Sequence, residues 1–234
     1  MAIHLITRSA IEGGGKQSYL EAVADDFRPI AEARGQRLLV LGSTIGSTAR
    51  WPETTEIWEV EGFTKLGPTV EAMYTDETTD SALAAFWRRS FQYRNRGESL
   101  IVVGAAFSPS LDEHLQQGLE AKVFGVEEIR FVPGRRREAL QALAERAALD
   151  HTRGRRLLLG GEVAFTNQRL VAAWAYADLA SCNQYQHALP IDADLQTWRS
   201  AWQDTLESSF EYWIYATRAT PLWPRAERDG AAIW

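Results

Sequence analysis

A chain of 234 residues has room for one large domain or two of about 115 residues each. Hydrophobic residues make up 45% and charged residues 24%, with 17 Gly and 8 Pro, which excludes disordered, collagen-like and low-complexity chains. The formal charge of −6 lacks the basic excess that phosphate contacts require, so no nucleic-acid partner is expected.

In chain order, IHLITR at 3–8 reads as a short strand, and Gly13 to Gly15 break the chain. Leu20, Val23, Phe27, Ile30 and Ala31 then recur at helical spacing over 17–34 until Gly35 stops the helix. Strands follow at 37–42 and 56–60, joined by the connection STIGSTARWPETT. Helical stretches over 68–74 and 81–93 precede a strand at 100–107. The segment from Ser110 to Phe124 reads as a connection with a short helix, since Leu111, Leu115 and Leu119 recur every four residues. The second half reads as a strand at 127–132, a helix at 135–151, strands at 156–163 and 169–176, a helical region at 177–204 and a strand at 210–217.

The two halves echo one another. RGQRLLVLG (34–42) and RGRRLLLGG (153–161) match at six of nine positions without a gap, Trp58 answers Trp174, and FWRRSFQ from Phe86 answers TWRSAWQ from Thr197. Each half therefore reads β-α-β-β-α-β, the split pattern of a ferredoxin-like unit, and the chain reads as a tandem pair. Apolar residues continue on both alternations of 100–107 and 212–217, where a solvated sheet face would show regular polar positions. The expected fold is thus α+β, two tandem ferredoxin-like domains whose antiparallel sheets face each other as a barrel with helices outside. The boundaries expected are 1–110, a linker at 111–124, 125–224, and a tail at 225–234.

This pattern resembles the dimeric alpha/beta-barrel superfamily, and within it most closely NIPSNAP-type domains, with EthD-like and antibiotic-biosynthesis-monooxygenase domains as neighbours. The residues that carry the likeness are Glu128-Ile129-Arg130 before Pro133-Gly134, and a Trp on the third strand of each half, Trp58 and Trp174. The first half departs from it, with His4-Leu5-Ile6 and Gly13-Gly14-Gly15 at its opening.

Alternation selects candidates for chemistry. If Ile129 and Phe131 face helices, Glu128 and Arg130 point into the barrel, where His4 and Arg8 share the corresponding alternation of the first strand. Enclosure can raise a carboxyl pKa toward neutrality, so Glu128 or His4 would move a proton and Arg130 would hold an anionic oxygen. The alternative is a Glu128–Arg130 ion pair that only closes the barrel. Trp58, Trp87, Trp174, Tyr176 and Trp198, with His187 in the loop CNQYQHALP, are candidates to line a substrate pocket; core packing is the other role open to the aromatics.

Other signals exclude chemistry. Ala10 and Gln17 break the phosphate-loop pattern around Gly15-Lys16, and neither G-x-G-x-x-G nor G-x-S-x-G occurs in a strand-to-helix setting. No histidine pair has metal-ligand spacing, so no metal is expected. Cys182 is alone and reads as a small buried residue in a reducing compartment. The opening MAIHLITRSA has no leader pattern and no run reaches the length of a membrane span, so a cytoplasmic protein without a membrane partner is expected, with homo-oligomers left open. Three functions remain. The likeness to monooxygenase and EthD branches implies a small-molecule enzyme that acts on an apolar, aromatic substrate by proton transfer or cofactor-independent oxygen chemistry. The NIPSNAP likeness implies a non-catalytic binding or interaction domain. Barrels of this superfamily also bind haem, for which His187 or His151 would be the ligand; no cofactor is predicted, with haem or flavin left open.

Overall fold

The computed structural model describes residues 2–12, 14–76, 81–229 and 233; Gly13, where the expected glycine turn begins, lies outside them. The elements run β1 (Ile3–Ile11), α1 (Lys16–Glu21), a π-helical stretch (Ala22–Phe27), α2 (Arg28–Ala33), β2 (Gln36–Thr44), β3 (Glu53–Val60), α3 (Gly62–Asp76), α4 (Ser81–Ser90), β4 (Arg94–Gly104) and α5 (Leu111–Gln116). The second half continues with β5 (Val123–Phe131), α6 (Arg136–His151), β6 (Arg156–Val163), β7 (Arg169–Tyr176), α7 (Leu179–Ala188), α8 (Ala193–Trp202) and β8 (Leu206–Ala216). No helix among the described residues is long and apolar enough to cross a membrane.

Each half orders its strands in the ferredoxin-like way, β4-β1-β3-β2 and β8-β5-β7-β6, with every pair antiparallel. The halves then join edge to edge. β2 meets β8 through Gly42↔Ala216, Ser43↔Tyr215 and Thr44↔Ile214, and β4 meets β6 through Val102↔Val163, Val103↔Glu162 and Gly104↔Gly161, which closes all eight strands into one barrel. The fold class read from the sequence is the one observed.

Strand alternation sorts the core into three layers. Inward-facing Ile6, Leu39, Ile57, Val102, Phe124, Val126, Leu158, Val171 and Ile214 fill the barrel axis. Outward-facing residues of the second half pack under α6 to α8, and those of the first half pack under α1, α2 and α4. The helix expected over 17–34 is interrupted. Pro29 lacks the N–H of a regular helical bond and its ring crowds the preceding turn, and the chain answers with the widened π-helical stretch ending at Phe27.

The connection also differs from its reading. A capping box at Ser110 and Glu113 starts α5, but Gly118 adopts φ +64 and ends it before Leu119. Val123 and Phe124 are the first two residues of β5 rather than linker.

Both seams cross a glycine at the same place in the repeated segment. A Cβ on Gly42 would meet the Tyr215 carbonyl oxygen, and one on Gly161 would meet the Val103 carbonyl oxygen, both inside contact distance. Gly42→Ala and Gly161→Ala should each destabilise the protein by about 1–3 kcal/mol in urea unfolding. Gly97→Ala, at an exposed strand position where a Cβ would meet only ordinary contacts, should leave stability equal or slightly higher.

Candidate functional site

Because the barrel axis is packed with apolar side chains, the cavities lie elsewhere: one between each half-sheet and its own helices, one where the β4–β6 seam meets α6, and a small one beside Arg8 at the barrel mouth. This corrects the expected enclosure between the two sheets. The physical reason is the size of the inward set, since branched and aromatic side chains from eight strands are enough to fill the space they surround.

The first-half cavity measures about 560 Å³. Its floor is Leu5, Thr7, Glu56, Trp58, Ser99 and Ile101, and its helix side includes Tyr19, Phe27, Phe86, Trp87 and Phe91. Phe27 stacks on Phe86 with centroids 4.7 Å apart and meets Trp58 edge-on at 5.5 Å, so the π-helical stretch fixes one wall. Glu56 is the one carboxylate among the described lining residues, and it is only 5% exposed. The Tyr19 hydroxyl donates to its Oε1 at 2.8 Å and the Trp58 indole N–H donates to its Oε2 at 3.2 Å. Among the described residues no cation forms an ion pair with it. Burial pushes the Glu56 carboxyl above its ordinary range, and the two hydrogen bonds and the more distant Arg94 guanidinium only partly offset this. Arg94 lines the cavity too, lying over the Trp87 and Phe91 rings at 5.1 and 5.0 Å.

The second-half cavity, about 400 Å³, occupies the corresponding place and is lined by Glu127, Glu211, Trp213, Arg146, Trp198 and Trp202 among others. Behind it Arg155, 1% exposed, donates from Nη2 to Glu211 at 2.5 Å and Glu127 at 3.4 Å, and from Nη1 to Asp150 at 2.8 Å and Tyr185 at 3.1 Å. Its guanidinium also lies 3.9 Å from the Trp174 ring centroid. Burial raises the Glu211 carboxyl pKa; Arg155 opposes that rise and Glu127 adds to it. Cys182 is buried nearby with its thiol pushed up to about 12, mainly by desolvation, so it is no nucleophile.

The expected site residues are divided among separate places. Glu128 does sit on the inward alternation, but at the barrel mouth, where its Oε1 accepts from Arg8 at 3.4 Å and its Oε2 from Arg169 at 2.5 Å. Arg130 is exposed beyond that mouth, so the anticipated Glu128–Arg130 pair is not formed. His4 is fully buried four residues from Arg8 along β1, with Nε2 3.8 Å from Glu59 at the end that α5 closes. The structure therefore does not bring His4, Glu128 and Arg130 around one space. Trp58 and Trp87 line the first cavity and Trp198 the second. Trp174 and Tyr176 are fully buried and donate to Glu127 and Glu211 at 2.9 and 3.1 Å. His187 and His151 are exposed, and no histidine stands among the described lining residues of either cavity, so neither expected histidine is placed to ligate haem there.

The groups that sequence reasoning missed are Glu56, Glu127, Arg155 and Glu211, on the helix-facing side of the sheet, and Tyr19, which reaches Glu56 from α1. Their signal was available in part: Glu56 stands two residues before Trp58 on one strand, hence on the same face, and Glu127 interrupts the helix-facing set Val123, Ile129 and Phe131.

A protein from Lactobacillus acidophilus NCFM named "putative monooxygenase" superposes with a TM-score of 0.64 over 91% of this chain and 92% of its own, at 10% identity. An anthrone oxidase-like protein superposes with a TM-score of 0.58 over 92% of this chain and 91% of its own, at 11% identity. A NIPSNAP family protein from Agrobacterium tumefaciens str. C58 aligns with 47% of this chain and 98% of its own, at 21% identity and a TM-score of 0.37. No family model and no curated protein matches the chain. The chain has the dimeric alpha/beta-barrel fold, with both halves of the barrel on one polypeptide.

Two stability measurements test this electrostatic picture. Arg155→Met leaves Glu127, Glu211 and Asp150 without their shared cation, and should cost about 3–5 kcal/mol in urea unfolding at pH 7. Glu56 works in the opposite sense. Its folded pKa lies above the unfolded one, so its contribution is favourable below the ordinary carboxylate value and is lost as pH rises through the folded value. Glu56→Gln should therefore gain stability relative to wild type as pH rises through that window, followed by thermal unfolding at a series of pH values.

Proposed function

We propose that the first-half cavity is the active site of a small-molecule enzyme that removes a proton from a flat, apolar, weakly acidic aromatic substrate. The observation that carries this reading is Glu56, a buried carboxyl without a countercharge, raised in pKa, set in an aromatic-walled cavity. A general base works best when its pKa approaches the working pH, and burial moves a carboxyl in that direction. Trp58, Phe86 and Trp87 offer ring faces to a planar ligand. Arg94 supplies the positive charge that stabilises the anion formed on deprotonation, and Thr7 and Ser99, hydrogen-bonded to each other at 2.9 Å, supply hydroxyls on the floor.

The names of the structural neighbours, a putative monooxygenase and an anthrone oxidase-like protein, support an oxygen-dependent outcome. Glu56 takes a proton from an acidic methylene, the carbanion passes electrons to dissolved dioxygen, and the two C–H bonds are replaced by a C=O. One oxygen atom stays on carbon, the other leaves as water with the two protons, and no further reductant is consumed. Tyr19, which also shares a 3.0 Å hydrogen bond with Ser9, keeps the carboxylate aimed while the proton is moved.

The test is oxygen uptake with anthrone as the probe. Wild type should accelerate it with a pH profile that rises through a value above the ordinary carboxylate range, because only the deprotonated Glu56 acts as base. Glu56→Gln should lower kcat/KM roughly 10²–10⁴-fold. The fold of this variant is secured by Tyr19, which can accept from the new amide while it donates to Ser9. Equal oxygen uptake by wild type and Glu56→Gln would overturn the assignment.

A further inference from the structure

We propose that the second-half cavity is a separate binding site for an organic cation, a protonated amine carried on a small apolar body. This site lies in the other half of the chain and does not rest on the activity assigned to the first. Register shows how the two cavities diverged. Leu5↔Trp58 on β1 and β3 corresponds to Gly125↔Trp174 on β5 and β7, so Glu127 takes the place of Thr7, and Glu211, opposite Glu127 on β8, takes the place of Ser99, opposite Thr7 on β4. Two neutral hydroxyls of one floor are thus two carboxylates in the other.

Those carboxylates are short of positive charge. They share one guanidinium nitrogen of Arg155, at 2.5 Å from Glu211 but 3.4 Å from Glu127, while Asp150 occupies the other nitrogen and also binds Arg146. Asp150, Glu127 and Glu211 face Arg146 and Arg155, which leaves one negative charge at the Glu127 end, on the cavity floor. Arg199, which lines the cavity from α8, and Glu145 on α6, bound to the Trp202 indole, offset each other in this sum. Opposite the floor stand Trp198 and Trp202 on α8, while Trp213 lies on the floor itself beside Glu211. Their indole N–H groups are spent on the Ala142 carbonyl, Glu145 and Glu211, so they have no donor left for an anion, and what remains to a ligand is their ring faces. One of these rings already receives a cation, with Arg146 lying 4.7 Å from the Trp198 centroid. Carboxylates on one side and indole faces on the other are the two features that select an ammonium group over a neutral or anionic one.

Calorimetric titration with benzylammonium, and with benzyl alcohol as its neutral counterpart, tests the site. Wild type should bind benzylammonium about tenfold or more tightly than benzyl alcohol. Glu127→Gln should weaken benzylammonium about tenfold or more and leave benzyl alcohol unchanged. That variant keeps an oxygen for the Trp174 N–H and leaves two carboxylates for two guanidiniums, so its fold is retained. Trp202→Leu, at a half-buried position, should weaken benzylammonium in the same direction, and Glu56→Gln should not change it. Equal affinity for the two probes, no binding of either, or benzylammonium binding that survives Glu127→Gln would overturn the proposal. Loss of benzylammonium binding in Glu56→Gln would overturn it as well, by moving the cation to the first cavity.

Discussion

Everything else in the molecule depends on how two four-stranded sheets become one barrel. Each half lends the other a three-residue edge, and each edge passes a glycine so that the facing backbone can come close enough to hydrogen-bond. With both seams closed, the middle of the inward alternation of all eight strands is committed to one apolar core, with His4 and Glu59 at one end and Arg8 and Glu128 at the other. That commitment fixes where chemistry can occur. A ligand cannot enter the axis without displacing the core, whereas the outer faces meet helices whose long side chains leave gaps.

On those outer faces the same scaffold carries two electrostatic solutions. Under its helices the first half buries Glu56, held by a phenol and an indole and, among the described residues, in no ion pair. The second half buries a network in which Arg155, where the first half has Gln36 in the repeated segment, joins three carboxylates. A lone buried carboxyl is costly to ionise and therefore useful as a base; a network that sets three carboxylates around a guanidinium is suited to binding charge. Two halves with the same strand order and different polar positions let one chain hold both.

The fold was largely legible because it rests on signals that survive in a single sequence. The repeat around RGQRLLVLG, the helical spacing from Leu20 to Ala31 and the continuous apolar strands point to two ferredoxin-like units joined as a barrel. Strand limits were less legible, since β4 and β8 begin with mostly polar stretches, exposed over 95–99 and 207–210, that carry no regular apolar pattern. The carboxylate expected from alternation and the one that lines a cavity differ by one step along the strand. Glu128 and Glu127 are neighbours, yet one points to the barrel mouth and the other to the helices, and nothing in the strand's own sequence says that the axis is full. That fact emerges only when inward residues from all eight strands are counted together. Glu56 escaped notice for a related reason, because its burial depends on Tyr19 and Phe27, far away along the chain.

The central claim is that the working cavity lies between sheet and helix in the first half, with Glu56 at its floor. A crystal structure with a bound planar aromatic ligand such as anthrone tests it most directly. The account predicts the ring system between Trp58, Phe86 and Trp87, with its acidic carbon within hydrogen-bonding reach of a Glu56 oxygen. Ligand density on the barrel axis, or beside Glu128 at its mouth, would contradict it.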